Sequence, residues 1–358
     1  MRDRRFRYIV LLLLALALLT GCGAATPTLT GANTAADPEA AERGYRYVDS
    51  MDTIIELTAY GRHRAAALDA AEAEVLRLND LLSIGLETSE VSTLNREGSG
   101  TLSPDASYLV RCALEIYDST GGAFDLTVYP LMVLWGFTSG DYRVPTQAEI
   151  DETLEKVGAD RISFDAESGA ITLDEGQQID LGGIAKGYTS QRIMEIYREN
   201  GVVSGLVSLG GNVQCLGTKP DGTAWRIGVR NPDTETGGIV AIVSVTDKAV
   251  ISSGGYERFF VDGDSGVTYE HIMDPKTGRP VQNELAQVTI VTPDGTLGDA
   301  LSTALYILGL DAACDYWRGH SEAFDAIFVL RDGSILVTAG IEDCTKSVDG
   351  GPELEIVR

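Results

Sequence analysis

Apolar and polar positions change rhythm several times along this chain. Residues 9–19 form an unbroken apolar run, preceded by Arg2, Arg4, Arg5 and Arg7 and followed by Leu19-Thr20-Gly21-Cys22. That layout predicts a lipoprotein-type leader, residues 1–21, removed in front of a lipidated Cys22. The run is too short to span roughly 30 Å of hydrocarbon, which favours a cleaved leader over a membrane helix. Residues 23–44 are rich in Ala, Thr, Gly and Pro without a period. Residues 22–44 therefore read as a flexible tether, with a coil reach of roughly 25 Å.

Periodic patterning begins after the tether. Residues 53–59 alternate as a strand does, and residues 64–82 repeat at helical spacing with Leu68, Ala71, Val75, Leu76 and Leu78 on the core face. Ser103 and Pro104 open a helix that ends near Gly121-Gly122, and a capping box from Thr146 to Glu149 opens another running to Gly158. Residues 179–180 end an apolar strand, a glycine turn follows, and a helix runs over 188–200. Later apolar runs at 205–209, 225–229, 239–245, 258–261, 288–292, 326–330 and 334–338 are separated by Gly, Asp and Asn turns. Helices first and strands later, without strict alternation, predict an α+β fold with mainly antiparallel sheets packed with helices. No repeat and no second linker divides residues 45–345, which form one domain, and residues 346–358 are left as a C-terminal tail.

Charge narrows the partners. The 358 residues carry a formal charge of −25, and losing residues 1–21, with four arginines and Asp3, takes it to −28. Such a surface does not bind nucleic acid or anionic lipid by charge, so an anionic ligand must be held by a local site. Cys112, Cys215, Cys314 and Cys344 are scattered, with no Cys-x-x-Cys pair; an exported location permits a disulfide, but buried free thiols fit better.

Three stretches could carry chemistry. Ile-Asp-Leu-Gly-Gly-Ile-Ala-Lys-Gly at 179–187 places Asp180, two close glycines and Lys186 at a helix start, which suits a polyphosphate but also suits an ordinary turn. It matches neither a Walker A loop nor Gly-x-Gly-x-x-Gly. Asp299 and Thr303 stand four apart on an apolar helix, one face of which could offer oxygen ligands to Mg²⁺; equally, Asp299 could cap the helix and Thr303 bond its own turn. His271, just before the turn Asp274-Pro275-Lys276-Thr277-Gly278, is either a proton acceptor or a partly buried strand residue. No zinc pattern and no Gly-x-Ser-x-Gly elbow is present.

Taken in order, Met51-Asp52-Thr53, residues 89–95, residues 122–127 with Pro130 and Leu134-Trp135-Gly136-Phe137, residues 179–187, Gly210-Gly211-Asn212, Ser252-Ser253-Gly254, residues 271–280 and residues 299–303 resemble the ApbE-type flavin transferases. The resemblance covers about residues 45–337. It implies an exported, Mg²⁺-dependent enzyme that splits FAD, releases AMP and joins FMN through a phosphoester to a threonine or serine of a target redox protein. By the same resemblance, the Gly183 carbonyl, Asp299 and Thr303 hold the metal. Met51, Ala123, Phe124, Asp125, Asp180, Lys186 and Met273 contact FAD, and His271 is the general base. Targets are expected to be exported or membrane redox proteins presenting a loop like Asp-Gly-Ala-Thr, with the enzyme lipid-anchored on the outer face of the cell membrane.

The sequence departs from the family pattern at Gly85, Asp52, Gly255 and Glu270, which bears on how the flavin is packed. An FAD pyrophosphatase giving FMN and AMP would use the same residues, and Met51 and Tyr60, expected near the flavin, would set the balance. A non-catalytic flavin-binding lipoprotein is the third possibility, and it gives no reason for Asp299, Thr303 and His271 to occur together.

Overall fold

A computed structural model describes residue 39 and residues 41–233 and 235–358. The leader, Cys22 and most of the tether lie outside the described residues. Where the tether was expected to end, Arg43–Ser50 instead forms the edge of a nine-stranded sheet. From that edge the order is Thr53–Tyr60, Gly205–Leu209, Asn212–Leu216, Ala249–Gly254, Leu285–Thr292, Asp325–Leu330, Ile335–Thr338 and Leu354–Val357. Every pairing is antiparallel except the last, where Leu354–Val357 lies parallel to Ile335–Thr338. The fold is α+β and mainly antiparallel, as the pattern predicts. Residues 346–358 are not a tail: Leu354–Val357 closes the large sheet, and Thr345–Ser347 pairs with Ile239–Val245.

Both faces of the sheet are covered. Val288, Ile290, Ala326 and Phe328 face the helices, whereas Val250, Val291, Ile327, Ile335 and Val337 face a three-stranded sheet of Trp225–Arg230, Ile239–Val245 and Thr345–Ser347. Burial on both sides explains why these strands read as continuous apolar runs, without alternation. The helix Arg64–Leu82 begins and ends where its spacing predicts. The capping box is also present, with Thr146 Oγ1 accepting from the Glu149 amide and Glu149 Oε2 from the Thr146 amide, though that helix stops at Leu154.

The stretch 179–187 differs from its expected form. There is no strand at Ile179; instead the Asn95 side chain holds it on both sides, donating to its carbonyl at 2.8 Å and accepting from its amide at 2.7 Å. The helix starts at Gly182 and runs to Glu199. It crosses the helix Gly295–Leu308 at glycine, and a Cβ on Gly187 would stand 2.1 Å from the Gly295 carbonyl oxygen and 2.5 Å from Asp299 Cβ. Alanine at Gly187 gains at most about 1 kcal/mol of helix propensity, but it must push two backbones apart, at about 1–3 kcal/mol or more. Gly187→Ala is therefore expected to destabilise the fold, read as a lower urea midpoint at unchanged m-value.

Candidate functional site

The glycine crossing fixes one carboxylate against backbone. Asp299, 4% exposed, accepts from the Gly187 amide at 2.8 Å and from Asn212 Nδ2 at 2.8 Å. Asn212 reaches it because Gly210 and Gly211 turn the hairpin before it at φ 60° and 107°. Burial raises the Asp299 pKa, and the nearby Lys186 ammonium and these donors oppose the rise. Asp299 is not the helix cap; Asp294 caps this helix through the Leu297 amide. Thr303 does not bond back within its own turn but meets Ser253 Oγ at 3.1 Å, while Ser253 also meets Ser302 Oγ at 2.7 Å.

Asp180 lies at the start of the glycine-led helix, its Oδ1 accepting from the Gly182 amide at 2.7 Å. Burial raises its pKa first; Lys186 and Arg258 pull it down and Asp52 pushes it up. Lys186 Nζ stands 3.4 Å from the Gly182 carbonyl oxygen. The Lys186 charge thus acts on Asp180, Asp299 and His271 together. Phe124 packs beside Gly183, where a Cβ would lie 3.0 Å from its ring.

His271 follows the strand Thr268–Glu270 and is half-buried. Its Nδ1 lies 3.2 Å from the Arg258 carbonyl oxygen, which also accepts the His271 amide at 3.0 Å. A carbonyl can only accept, so Nδ1 carries the proton and Nε2 keeps a lone pair. Burial, then the Arg258 charge, and finally Lys186 depress its pKa from 6.5 to about 4. The imidazole is therefore a neutral acceptor at physiological pH.

The hairpin turn Met51-Asp52 joins the site from the sheet edge. Both residues are left-handed, at φ 53° and 57°, as a two-residue type I′ turn requires, although neither is glycine. The Met51 amide donates to Asn79 Oδ1 at 3.2 Å, and Met51 Sδ lies 3.6 Å from Thr189 Oγ1 on the glycine-led helix.

Other expected contacts are placed differently. Asp125 is buried and committed to its own loop, accepting from the Thr127 amide at 2.8 Å, Thr127 Oγ1 at 2.6 Å and the Ala159 amide at 3.3 Å. It supports the Ala123-Phe124 turn and does not join the Lys186 cluster. Met273, 3% exposed, sits in an apolar cluster with Leu131, Trp135, Phe137 and Ile150, leaving its backbone as the part able to meet a ligand. Tyr60 packs on Trp225 with ring centroids 6.2 Å apart, at the far end of Thr53–Tyr60 from the Met51 turn. That is about 23 Å along the strand, so Tyr60 does not share the surroundings of the Met51 turn. Asn212, Arg258 and Ser253 enter with roles that spacing did not assign. For Asn212 the paired glycines before it were a readable signal; for Arg258 the sequence offered none.

A sequence model of the ApbE family matches residues 51–328. This chain belongs to the ApbE family. It is 32% identical over 326 residues to the FAD:protein FMN transferase of Treponema pallidum, covering 85% of this chain and 89% of that one. Against the FAD:protein FMN transferase of Klebsiella pneumoniae it is 31% identical over 293 residues, covering 81% and 90%. The crystal structure of the ApbE protein of Thermotoga maritima superposes with a TM-score of 0.75 at 31% identity, covering 82% of this chain and 96% of that one. The fold and family expected from the ordered motifs are thereby established.

Three of the residues described above could hold a hard cation. Among the described residues no group of three or more His, Cys, Asp and Glu could hold a metal ion. Asp299, the Thr303 hydroxyl and the Gly183 carbonyl are all oxygen donors, and each Asp299 oxygen makes one hydrogen bond and keeps a lone pair. So few protein ligands leave room for phosphate and water, the pattern Mg²⁺ prefers.

Position 52 gives a direct test of the turn. Asp52→Gly is expected to raise stability by about 1 kcal/mol, because glycine has no penalty in the left-handed region. It should also tighten FAD binding by removing a negative charge beside Asp180. Urea unfolding and flavin fluorescence titration read the two effects separately.

Proposed function

We propose that the chain is an FAD:protein FMN transferase that moves FMN to a threonine or serine hydroxyl of a target redox protein and releases AMP. The observation that carries this reading is one glycine-led helix whose start holds Asp180 through the Gly182 amide, whose Gly187 amide holds Asp299 and which carries Lys186, together with a His271 whose Nδ1 is bonded to the Arg258 carbonyl so that Nε2 is free. FAD is bound with its diphosphate beside Lys186 and the start of the glycine-led helix, and the Met51 turn and Phe124 border the flavin end. Asp299 and Thr303, with the Gly183 carbonyl, would hold Mg²⁺. A carbonyl oxygen has two lone pairs, so the Gly183 carbonyl has acceptor capacity for a cation beside a helix bond. When bound, Mg²⁺ supplies charge stabilisation for the opening phosphoanhydride.

His271 Nε2 takes the proton of the acceptor hydroxyl as its oxygen bonds to the FMN phosphorus. The bond from that phosphorus to the bridging oxygen breaks, and AMP departs with the electron pair. Lys186 offsets the growing charge. An exported enzyme tethered through a lipidated Cys22 would meet membrane or secreted targets; the short motif at 19–22 supports that placement.

The test uses the protein with FAD, Mg²⁺ and a peptide containing Asp-Gly-Ala-Thr, with the acceptor weighed by intact mass spectrometry and AMP assayed. A gain of one FMN with matching AMP supports transfer. AMP and free FMN without a mass gain would make the enzyme a pyrophosphatase, and retained FAD without AMP would make it a binding protein. Asp299→Ala is expected to abolish metal-dependent turnover, and His271→Ala to keep FAD affinity while lowering transfer by about 10²–10⁴-fold.

The pH dependence has a definite sign. Free histidine binds its proton near 6.5 and His271 only near 4, so between these values the unfolded chain holds the extra proton. Stability from this group is present above 6.5 and lost as pH falls toward 4. Urea melts across that window should show a shallower slope in His271→Ala, and the acid limb of kcat/KM should lie well below 6.5.

A further inference from the structure

The residue before His271 is a buried carboxylate that the proposed reaction does not use. Glu270 is 7% exposed and ends the strand Thr268–Glu270. Its Oε1 accepts from the Tyr306 hydroxyl at 2.8 Å and from the Arg331 guanidinium at 3.3 Å, and the same guanidinium nitrogen stands 3.3 Å from the Tyr306 hydroxyl oxygen. Burial raises the Glu270 pKa, and the Tyr306 bond and the Arg331 charge oppose the rise. Burial also raises the Tyr306 pKa, so the phenol keeps its proton and donates. Asn283 ties the two partners to each other. Its carbonyl accepts from Arg331 Nε at 2.7 Å, and its Nδ2 donates to the Tyr306 carbonyl at 2.7 Å.

This cluster joins two parts of the site. Asp299, Thr303 and Tyr306 stand at i, i+4 and i+7 on the helix Gly295–Leu308, so they share one face of it. Through Tyr306 that helix holds Glu270, and Ile272, 6% exposed, packs in the same core cluster as Tyr306. His271 is therefore carried between two anchored neighbours, with its imidazole on the alternate side of the backbone.

Room for the carboxylate comes from a missing side chain. A Cβ on Gly255 would stand 1.4 Å from Glu270 Oε2 and 2.4 Å from its carboxyl carbon. Gly255 is not among the left-handed glycines, so what glycine supplies there is space and not conformation. It lies two residues after Ser253, the partner of Thr303. Positions 255 and 270, two of the departures from the family pattern, are thus one feature: the carboxylate of one fills the space left by the other.

We propose that Glu270 is a positioning residue: anchored to Tyr306 and Arg331 in the space left at Gly255, it holds the backbone of His271 against the helix that carries Asp299 and Thr303. It touches no substrate and acts through His271. Its effect on turnover rests on the transferase reading above, whereas its effect on the imidazole is read without any reaction. When the anchor is removed the segment loosens, and the bond from Nδ1 to the Arg258 carbonyl no longer fixes one tautomer.

The experiment uses the full-length protein labelled with ¹⁵N-histidine, in which only His63, His271 and His320 give ring signals. The signals lost in His271→Ala assign its ring. In Glu270→Ala the His271 nitrogen shifts are expected to move from a fixed Nδ1–H form toward the average of the two tautomers. Glu270→Gln, whose Oε1 still accepts from Tyr306, is expected to restore them. Gly255→Ala must push the carboxylate aside, so it is expected to reproduce Glu270→Ala, and the two changes together to do no more than either alone. With FAD, Mg²⁺ and an Asp-Gly-Ala-Thr peptide, Glu270→Ala is expected to lower kcat about ten- to hundredfold, with peptide KM and FAD affinity changed less than about twofold. Should Glu270→Ala fail to fold, Tyr306→Phe, which removes one hydroxyl, reads the same signals.

If the His271 signals in Glu270→Ala match those of the unaltered protein, the carboxylate serves stability alone and the proposal is overturned, whatever happens to kcat. If the signals respond as expected while the unaltered protein transfers nothing, the positioning stands and the transferase reading falls.

Discussion

Two helices can bring their backbones into contact only where side chains are missing, and this site is built on such a contact. At Gly187 and Gly295 the helices Gly182–Glu199 and Gly295–Leu308 approach so closely that a carboxylate on one reaches a backbone amide on the other. Taking a carboxylate out of water is costly unless it is paired, and burial accordingly raises the pKa of Asp299. The Gly187 amide, Asn212 and the Lys186 charge offset part of that cost. What remains is a desolvated oxygen pair with spare acceptor capacity, which gains more from a cation than an exposed aspartate does.

The electrostatics are local in a chain whose overall charge is strongly negative. Lys186 and Arg258 both act on Asp180 and on His271, so two cations on different elements cover a region of a few side chains. A diphosphate placed there as proposed would be drawn in against the general field, because a close charge in a partly desolvated site outweighs distant ones screened by salt. Asp52 weakens that local field, and it occupies a backbone conformation in which it has little steric advantage over glycine.

How much could be read from the chain depended on where the decisive contacts lie. The Arg64–Leu82 helix and the capping box at Thr146 are local: spacing and neighbouring side chains specify them, and both were legible. The start of the Gly182–Glu199 helix was not, since glycine favours a turn and the first turn depends on Asn95, Phe124 and Asp299 from elsewhere in the chain. Arg43–Ser50 was missed for a different reason. Its inner positions, Gly44, Arg46, Val48 and Ser50, are mostly small or polar, while Tyr45 and Tyr47 face outward and are exposed, so no apolar alternation is readable. Tyr60 was misplaced because distance in sequence from Met51 is short whereas an extended strand carries it to the other end of the sheet. The ordered motifs singled out Asp299, Thr303, Lys186 and His271, but the partners Asn212 of Asp299 and Arg258 of His271 are set by tertiary contacts.

The depressed pKa of His271 has two kinds of cause with different fates during turnover. Burial persists or deepens when FAD fills the site. The contributions of Arg258 and Lys186 would not persist with FAD placed as proposed, because a diphosphate beside them would cancel part of their field at the imidazole. His271 is therefore a weaker base in the empty enzyme than the same burial with neutralised cations would make it. In the proposed reaction substrate binding would strengthen the base that the next step needs, while the bond from Nδ1 to the Arg258 carbonyl keeps the accepting nitrogen unchanged. Lys186, Arg258 and His271 are thus coupled through charge, and the proposed steps would use that coupling with no movement of the elements that carry them.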